Sequence, residues 1–154
     1  MNFRGKILRI IDANINRAKE GLRVCEDIMR FALDGKKATS KLKNIRHNIS
    51  NIVKKSKVKE SEIIKNRDSG LDIGKNIKVE NSKKVLFDIF IANSQRVKEA
   101  IRVLEELFCI LDLTTSKKFQ DLRFRFYDAE KECLKKIGYL CNSRRANLSQ
   151  KKHL

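Results

Sequence analysis

The sequence contains no proline and no tryptophan, only 6 glycines, and aromatic residues make up just 6% of it. Proline and glycine punctuate turns, so their scarcity argues against many short strands and in favour of long helices. No run of about 18 apolar residues exists to span a membrane, and the start of the chain lacks a secretory apolar core. The four cysteines (Cys25, Cys109, Cys133, Cys141) form no Cys-x-x-Cys pair. Buried reduced thiols are therefore expected rather than disulfides or a zinc site, with the cytoplasm as the compartment. Walker A, Gly-x-Gly-x-x-Gly and His-Glu-x-x-His signatures are absent as well, which removes the common nucleotide and zinc motifs.

Acid is also scarce. Lys and Arg number 36 against 19 Asp and Glu, a formal net charge of +17. That balance suits nucleic acid, an anionic surface or a phosphorylated small molecule without choosing among them, and much of it is lysine on solvated faces.

At 154 residues the chain is expected to form one domain with a real core. Apolar residues recur at helical spacing from Ile7 to Leu33. Asp34-Gly35 predicts a stop, because glycine tolerates the left-handed C-terminal conformation. A second helix is expected to start near Thr39-Ser40, with Leu42, Ile45, Ile49, Ile52 and Val53 along one face. Asn66 to Asn76 reads as a loop, a third helix as about 82–111, and a fourth as capped by Thr114-Thr115-Ser116. The basic stretch 141–154 reads as a disordered tail.

Two of these segments resemble each other. Displaced by 79 positions, Ala13, Asn14, Arg17, Lys19, Glu20, Arg23, Val24 and Glu26 match Ala92, Asn93, Arg96, Lys98, Glu99, Arg102, Val103 and Glu105. The following helices align as well, with Arg46 against Arg123 at a displacement of 77. The repeated unit is thus a helical hairpin, about 6–57 and again 82–138, joined by a linker at 60–80 within one helical domain of residues 1–140. Two amphipathic hairpins bury their stripes best against each other, so the expected fold is all-α, a four-helix bundle with approximate twofold symmetry.

With Asn14 as the origin, a wheel of about 100° per residue places Asn14 at the centre of the apolar arc, Arg17 about 60° away and Glu20 at its edge. Asp12, Lys19, Arg23, Glu26 and Arg30 fall on the opposite side and are expected to be solvated. Asn93, Arg96 and Glu99 take the same places on the third helix, with Glu105 outward. Arg46 and Arg123 lie inward on the second and fourth helices. Inward arginines are costly unless paired. Either they form ion pairs that set the register of the bundle, or they line a polar pocket for an anion, for which the guanidinium fork suits phosphate oxygens. Gly21 and Ala100 fill equivalent inward places, which favours close helix packing over room for a ligand. The linker adds Arg67, with Asp68 and Asp72 beside glycines. These form either an ordinary turn or a holder for hydrated Mg²⁺. His47 is expected at the surface.

The segments RIIDANINRAKEGLRVCEDIMRF, LKNIRHNI, RDSGLDIG, ANSQRVKEAIRVLEE and LRFRFYDAEK together resemble the small all-helical hydroxymethylpyrimidine phosphate kinase family of bacterial thiamine biosynthesis. The likeness covers about residues 6 to 135, and the paired Ala-Asn-x-x-Arg-x-x-Glu motifs carry it. Members stand alone or fused to thiamine phosphate synthase, whose (β/α)₈ barrel of about 250 residues would not fit this chain. The resemblance implies phosphoryl transfer from ATP, with Mg²⁺, onto the pyrimidine monophosphate. On the wheel, Arg17, Arg46, Arg67, Arg96 and Arg123 are the candidate phosphate clamps. Asn14 and Asn93 would contact the pyrimidine edge or a phosphate oxygen, and Glu20, Glu99, Asp68 and Asp72 would organise metal or water at the catalytic centre. The metal ligands themselves are not assigned. A homodimer and a synthase partner are compatible with this reading, and no membrane partner is expected. The competing reading is a basic helical protein contacting nucleic acid, which rests on charge alone.

Overall fold

A computed structural model describes residues 2–77 and 85–150, with the side chains of Asn76 and of 139–150 outside that description. The elements are α1 (Phe3–Asp27), which runs into a π-helical turn (Ile28–Ala32), α2 (Lys36–Lys54), α3 (Glu60–Lys65), a 3₁₀ turn (Ile73–Asn76), α4 (Leu86–Leu111) and α5 (Leu113–Gln150). There is no strand among the described residues. As the pattern predicts, α1, α2, α4 and α5 form a four-helix bundle: α1 packs on α2 and α4, and α5 packs on α2 and α4. The short α3, not foreseen within the linker, lies against α1 and buries Ile63. Most of the stretch expected as a tail continues α5 as far as Gln150; residues 151–154 lie outside the described residues, as do 82–84, where the third helix was expected to start, and α4 begins at Leu86.

The central seam is α1 against α4, running antiparallel. The Cys25 thiol lies 3.8 Å from the carbonyl of Phe90, and Gly21 faces Asn93 and Val97. A Cβ on Gly21 would stand 2.8 Å from Val97 Cγ2 and 3.0 Å from the Asn93 carbonyl oxygen, so the glycine is there for close approach of two backbones. Four phenylalanines (Phe90, Phe108, Phe119, Phe126) fill the core, with Phe108 and Phe119 stacked at 5.4 Å between centroids.

The punctuation differs in detail from the sequence expectation. The left-handed residue after α1 is Asp34, at φ 49°, whereas Gly35 is in ordinary space. Asp tolerates that region because its short polar side chain can bond locally. Gly35 instead sits in a tight contact, where a Cβ would stand 3.2 Å from Met29 and 3.3 Å from Lys136. Helix α2 begins at Lys36, earlier than Thr39-Ser40, with no side-chain cap. The cap of α5 is Asp112 rather than the Thr-Thr-Ser run. Asp112 accepts from Thr115 Oγ1 at 2.7 Å and from the backbone N–H of Lys57 at 3.0 Å, which ties the end of the first hairpin to the corner of the second.

Two outcomes are expected. Gly21→Ala gains helix propensity but overpacks the seam, and overpacking of this kind costs about 1–3 kcal/mol. Thermal unfolding of that variant should therefore fall by a few degrees. Hydrogen bonds from Thr115 and Lys57 hold the Asp112 carboxyl below its ordinary value. Its contribution to stability is then complete above the unfolded-state value of about 3.9 and lost as pH falls through the lowered folded value. Urea titrations between pH 2 and 6 should show this acid sensitivity reduced in Asp112→Asn.

Candidate functional site

Arg46 and Arg123 occupy equivalent places and do the same thing. Arg46 Nε donates to Glu26 Oε2 at 2.9 Å, and Arg123 Nε donates to Glu105 Oε2 at 2.8 Å. Both carboxylates are buried, Glu26 at 2% and Glu105 at 5% exposure. A second arginine one helical turn earlier completes each set, Arg23 to Glu26 and Arg102 to Glu105. Arg46 and Arg123 therefore form the ion pairs that pin the second helix of each hairpin to the first.

This overturns part of the wheel. Asp12, Glu26 and Glu105, expected outward, are buried, whereas Arg17, Glu20, Arg96 and Glu99, expected inward, are exposed. Helix α1 packs on α4 and α2 together, so its buried arc centres on Ile11, Ala18 and Leu22, about 60° round from Asn14. Glu26 and Glu20 sit about 120° to either side of Asn14, and the displacement buries the first and exposes the second. His47 is exposed as expected.

The exposed face still gathers several of the foreseen residues. Asn14, Arg17, Arg67, Asp68 and Asp72 line one cleft of about 690 Å³ between α1 and the linker, together with Lys6 and Arg9. Arg67 Nε and Nη2 donate to Asp12 Oδ2 and Oδ1 at 2.7 and 2.6 Å, a two-point fork that raises the guanidinium above its ordinary pKa. Arg9 Nη2 donates to the Asp68 carbonyl at 2.6 Å. Asp68 Oδ1 accepts from the N–H groups of Gly70 and Leu71, and Asp72 Oδ1 accepts from that of Gly74. Each linker aspartate thus spends one oxygen on a turn and keeps the other. Asn14 Nδ2 donates to the Ile10 carbonyl at 2.9 Å, which leaves its Oδ1 as an acceptor.

Among the described residues the second half does not repeat this cleft. Asn93 repeats the bond of Asn14, donating to the Ile89 carbonyl at 2.8 Å, but Lys6, Arg9 and Asp12 correspond to Val85, Asp88 and Ile91. Arg96 is exposed on α4, and Glu99 sits in a separate groove with Lys98, Arg102 and Tyr127. Glu20 is exposed on α1. Lys6, Arg9 and Asp12 were not foreseen, although Lys6, Arg9, Ala13 and Arg17 make a legible i, i+3, i+4 stripe. A second basic groove, lined by Lys36, Lys37, Lys41 and Arg125 between α2 and α5, gathers none of the foreseen residues, and Lys41 is bound there to Glu132 at 2.5 Å.

A helical bundle with an anion-suited cleft on one hairpin defines a class, and comparison with known proteins places the chain within it. The model of the ThiD2 family matches residues 9–132. The chain is 35% identical over 129 residues to a thiamine-phosphate synthase of Prochlorococcus marinus (strain AS9601), covering 84% of this chain and 36% of that protein. It is 33% identical over 142 residues to one of Rhodopirellula baltica, covering 90% and 37%. No solved structure is significantly similar. The chain belongs to the ThiD2 family, a thiamine-biosynthesis domain related to those synthases, and it spans little more than a third of the relatives' length. Among the described residues, no helix is long and apolar enough to cross a membrane.

Breaking one arginine pair isolates its structural role. Arg46→Ala leaves the buried Glu26 carboxylate with only the longer contact to the half-exposed Arg23, and removing one partner of a buried pair costs about 3–5 kcal/mol. Urea unfolding should show a loss of that order. Glu26→Leu combined with Arg46→Met should recover much of it, because no uncompensated charge remains.

Proposed function

We propose that this chain transfers the γ-phosphoryl group of ATP to hydroxymethylpyrimidine phosphate, giving the diphosphate. The observation that carries the reading is the convergence of Asn14, Arg17, Arg67, Asp68 and Asp72 on one cleft with Lys6 and Arg9, in a chain of this family. Phosphoryl transfer demands chiefly positioning and neutralisation of charge, and guanidinium forks aimed at phosphate oxygens supply both. Arg17 and Arg67 hold the phosphate of the pyrimidine, with Lys6 and Arg9 adding positive charge. Asn14 keeps an acceptor for the amino group of the pyrimidine. The attacking atom is a phosphate oxygen already ionised at neutral pH, so no strong general base is needed.

The uncommitted oxygens of Asp68 and Asp72 fit the donor set of a hydrated Mg²⁺, which prefers one or two carboxylates plus substrate phosphates. Bound there, the ion would neutralise charge on the transferring group. The synthase-named relatives also support a functional link to a thiamine-phosphate synthase.

Purified protein with ATP, Mg²⁺ and the pyrimidine monophosphate should release the diphosphate, identified by mass. Absence of product at high protein concentration, where a known kinase works in parallel, would sink the reading. Arg17→Ala should lower turnover about a hundredfold, the scale of removing one charge-stabilising donor, with helicity unchanged by circular dichroism. Arg96→Ala, outside the cleft, should stay within about twofold of the parent, since it contributes no such donor.

A further inference from the structure

Asp12 is a buried carboxylate that the phosphoryl-transfer reading leaves without a role. It is 7% exposed, and both of its oxygens are taken by one residue, Arg67, which lies 55 positions away in the linker and is itself half exposed. The carboxylate is the fixed partner, set in the rigid middle of α1, and the guanidinium is the arm it holds. Two of the five N–H donors of Arg67 are used in the fork and three remain for a ligand. Arg9, one turn earlier on α1, holds the same linker through the Asp68 carbonyl.

A purely structural pin for the linker is already present in Ile63, which is buried against α1. The bundle also does without a carboxylate at the equivalent place on α4, which is Ile91. A desolvated acid kept in the first hairpin alone, and spent wholly on a cleft-lining arginine, serves the cleft. We infer that Asp12 is a positioning residue that fixes Arg67 and residues 66–72 in advance as a wall of the anion site, so that ligand binding does not have to order them.

The identity of the natural anion rests on the kinase reading, but the positioning role does not, and pyrophosphate serves as the probe. In calorimetric titrations of the full chain, Asp12→Asn should weaken pyrophosphate binding about tenfold, the scale of re-immobilising one or two flexible side chains. Arg67→Ala should weaken it at least as much, and the double variant should be no worse than Arg67→Ala alone. Arg67→Lys keeps the charge but not the fork, so it should also weaken binding, and it decides the matter should Asp12→Asn fail to fold. Kinetically, Asp12→Asn should raise KM for the pyrimidine monophosphate about tenfold and leave kcat within about twofold, a split expected of lost preorganisation.

Unchanged pyrophosphate affinity in Asp12→Asn or Arg67→Lys would overturn the inference. So would losses that simply add in the double variant. A parent chain that binds pyrophosphate with this pattern but makes no product sinks the kinase reading and leaves the positioning role standing. A parent chain that does not bind pyrophosphate sinks the positioning role.

Discussion

The buried arginine–glutamate pair, made once in each hairpin, is the contact on which the rest of the arrangement depends. Glu26 and Glu105 are acids inside a protein, and each is met at hydrogen-bond distance by a guanidinium from the next helix, with a second arginine on its own helix beside it. Apolar stripes alone would allow α2 to slide or rotate on α1, and α5 on α4. A directional charge pair does not, because a shift of one helical turn would strand both charges. With each hairpin fixed internally, the two can close on the α1–α4 seam at the narrow crossing of Gly21.

The class of fold was legible from the sequence because long helices, missing proline and a displaced repeat all point one way. Helix ends were less so. Asp34 and Gly35 were both recognised as a stop, yet their roles are exchanged, since Asp34 takes the left-handed angles and the glycine sits in a tight contact with Met29. Asp112 escaped notice as a cap because its second partner, Lys57, is distant in sequence. The wheel failed at Glu26 and Arg17 for a similar reason. A one-dimensional pattern finds the apolar side of a helix but not how two neighbours divide it, and here α2 pulls the buried arc towards the acids. The candidate cleft was half legible: the motif residues were named, and the stripe of Lys6 and Arg9 beside them was not.

The duplication is also less complete than its sequence suggests. Matching positions make matching ion pairs and matching asparagine bonds, so the repeat is faithful where it builds the bundle. It diverges around the cleft, where Lys6, Arg9 and Asp12 correspond to Val85, Asp88 and Ile91.

One segment stands outside the repeat altogether. Two separate hairpins related by a true twofold would present two identical faces. A single connection between them must lie on one side, and here it crosses α1, where Ile63 and Arg67 anchor it. The covalent join is therefore what breaks the symmetry among the described residues: the same length of chain that makes one protein out of two halves also gives the first of those halves a second wall.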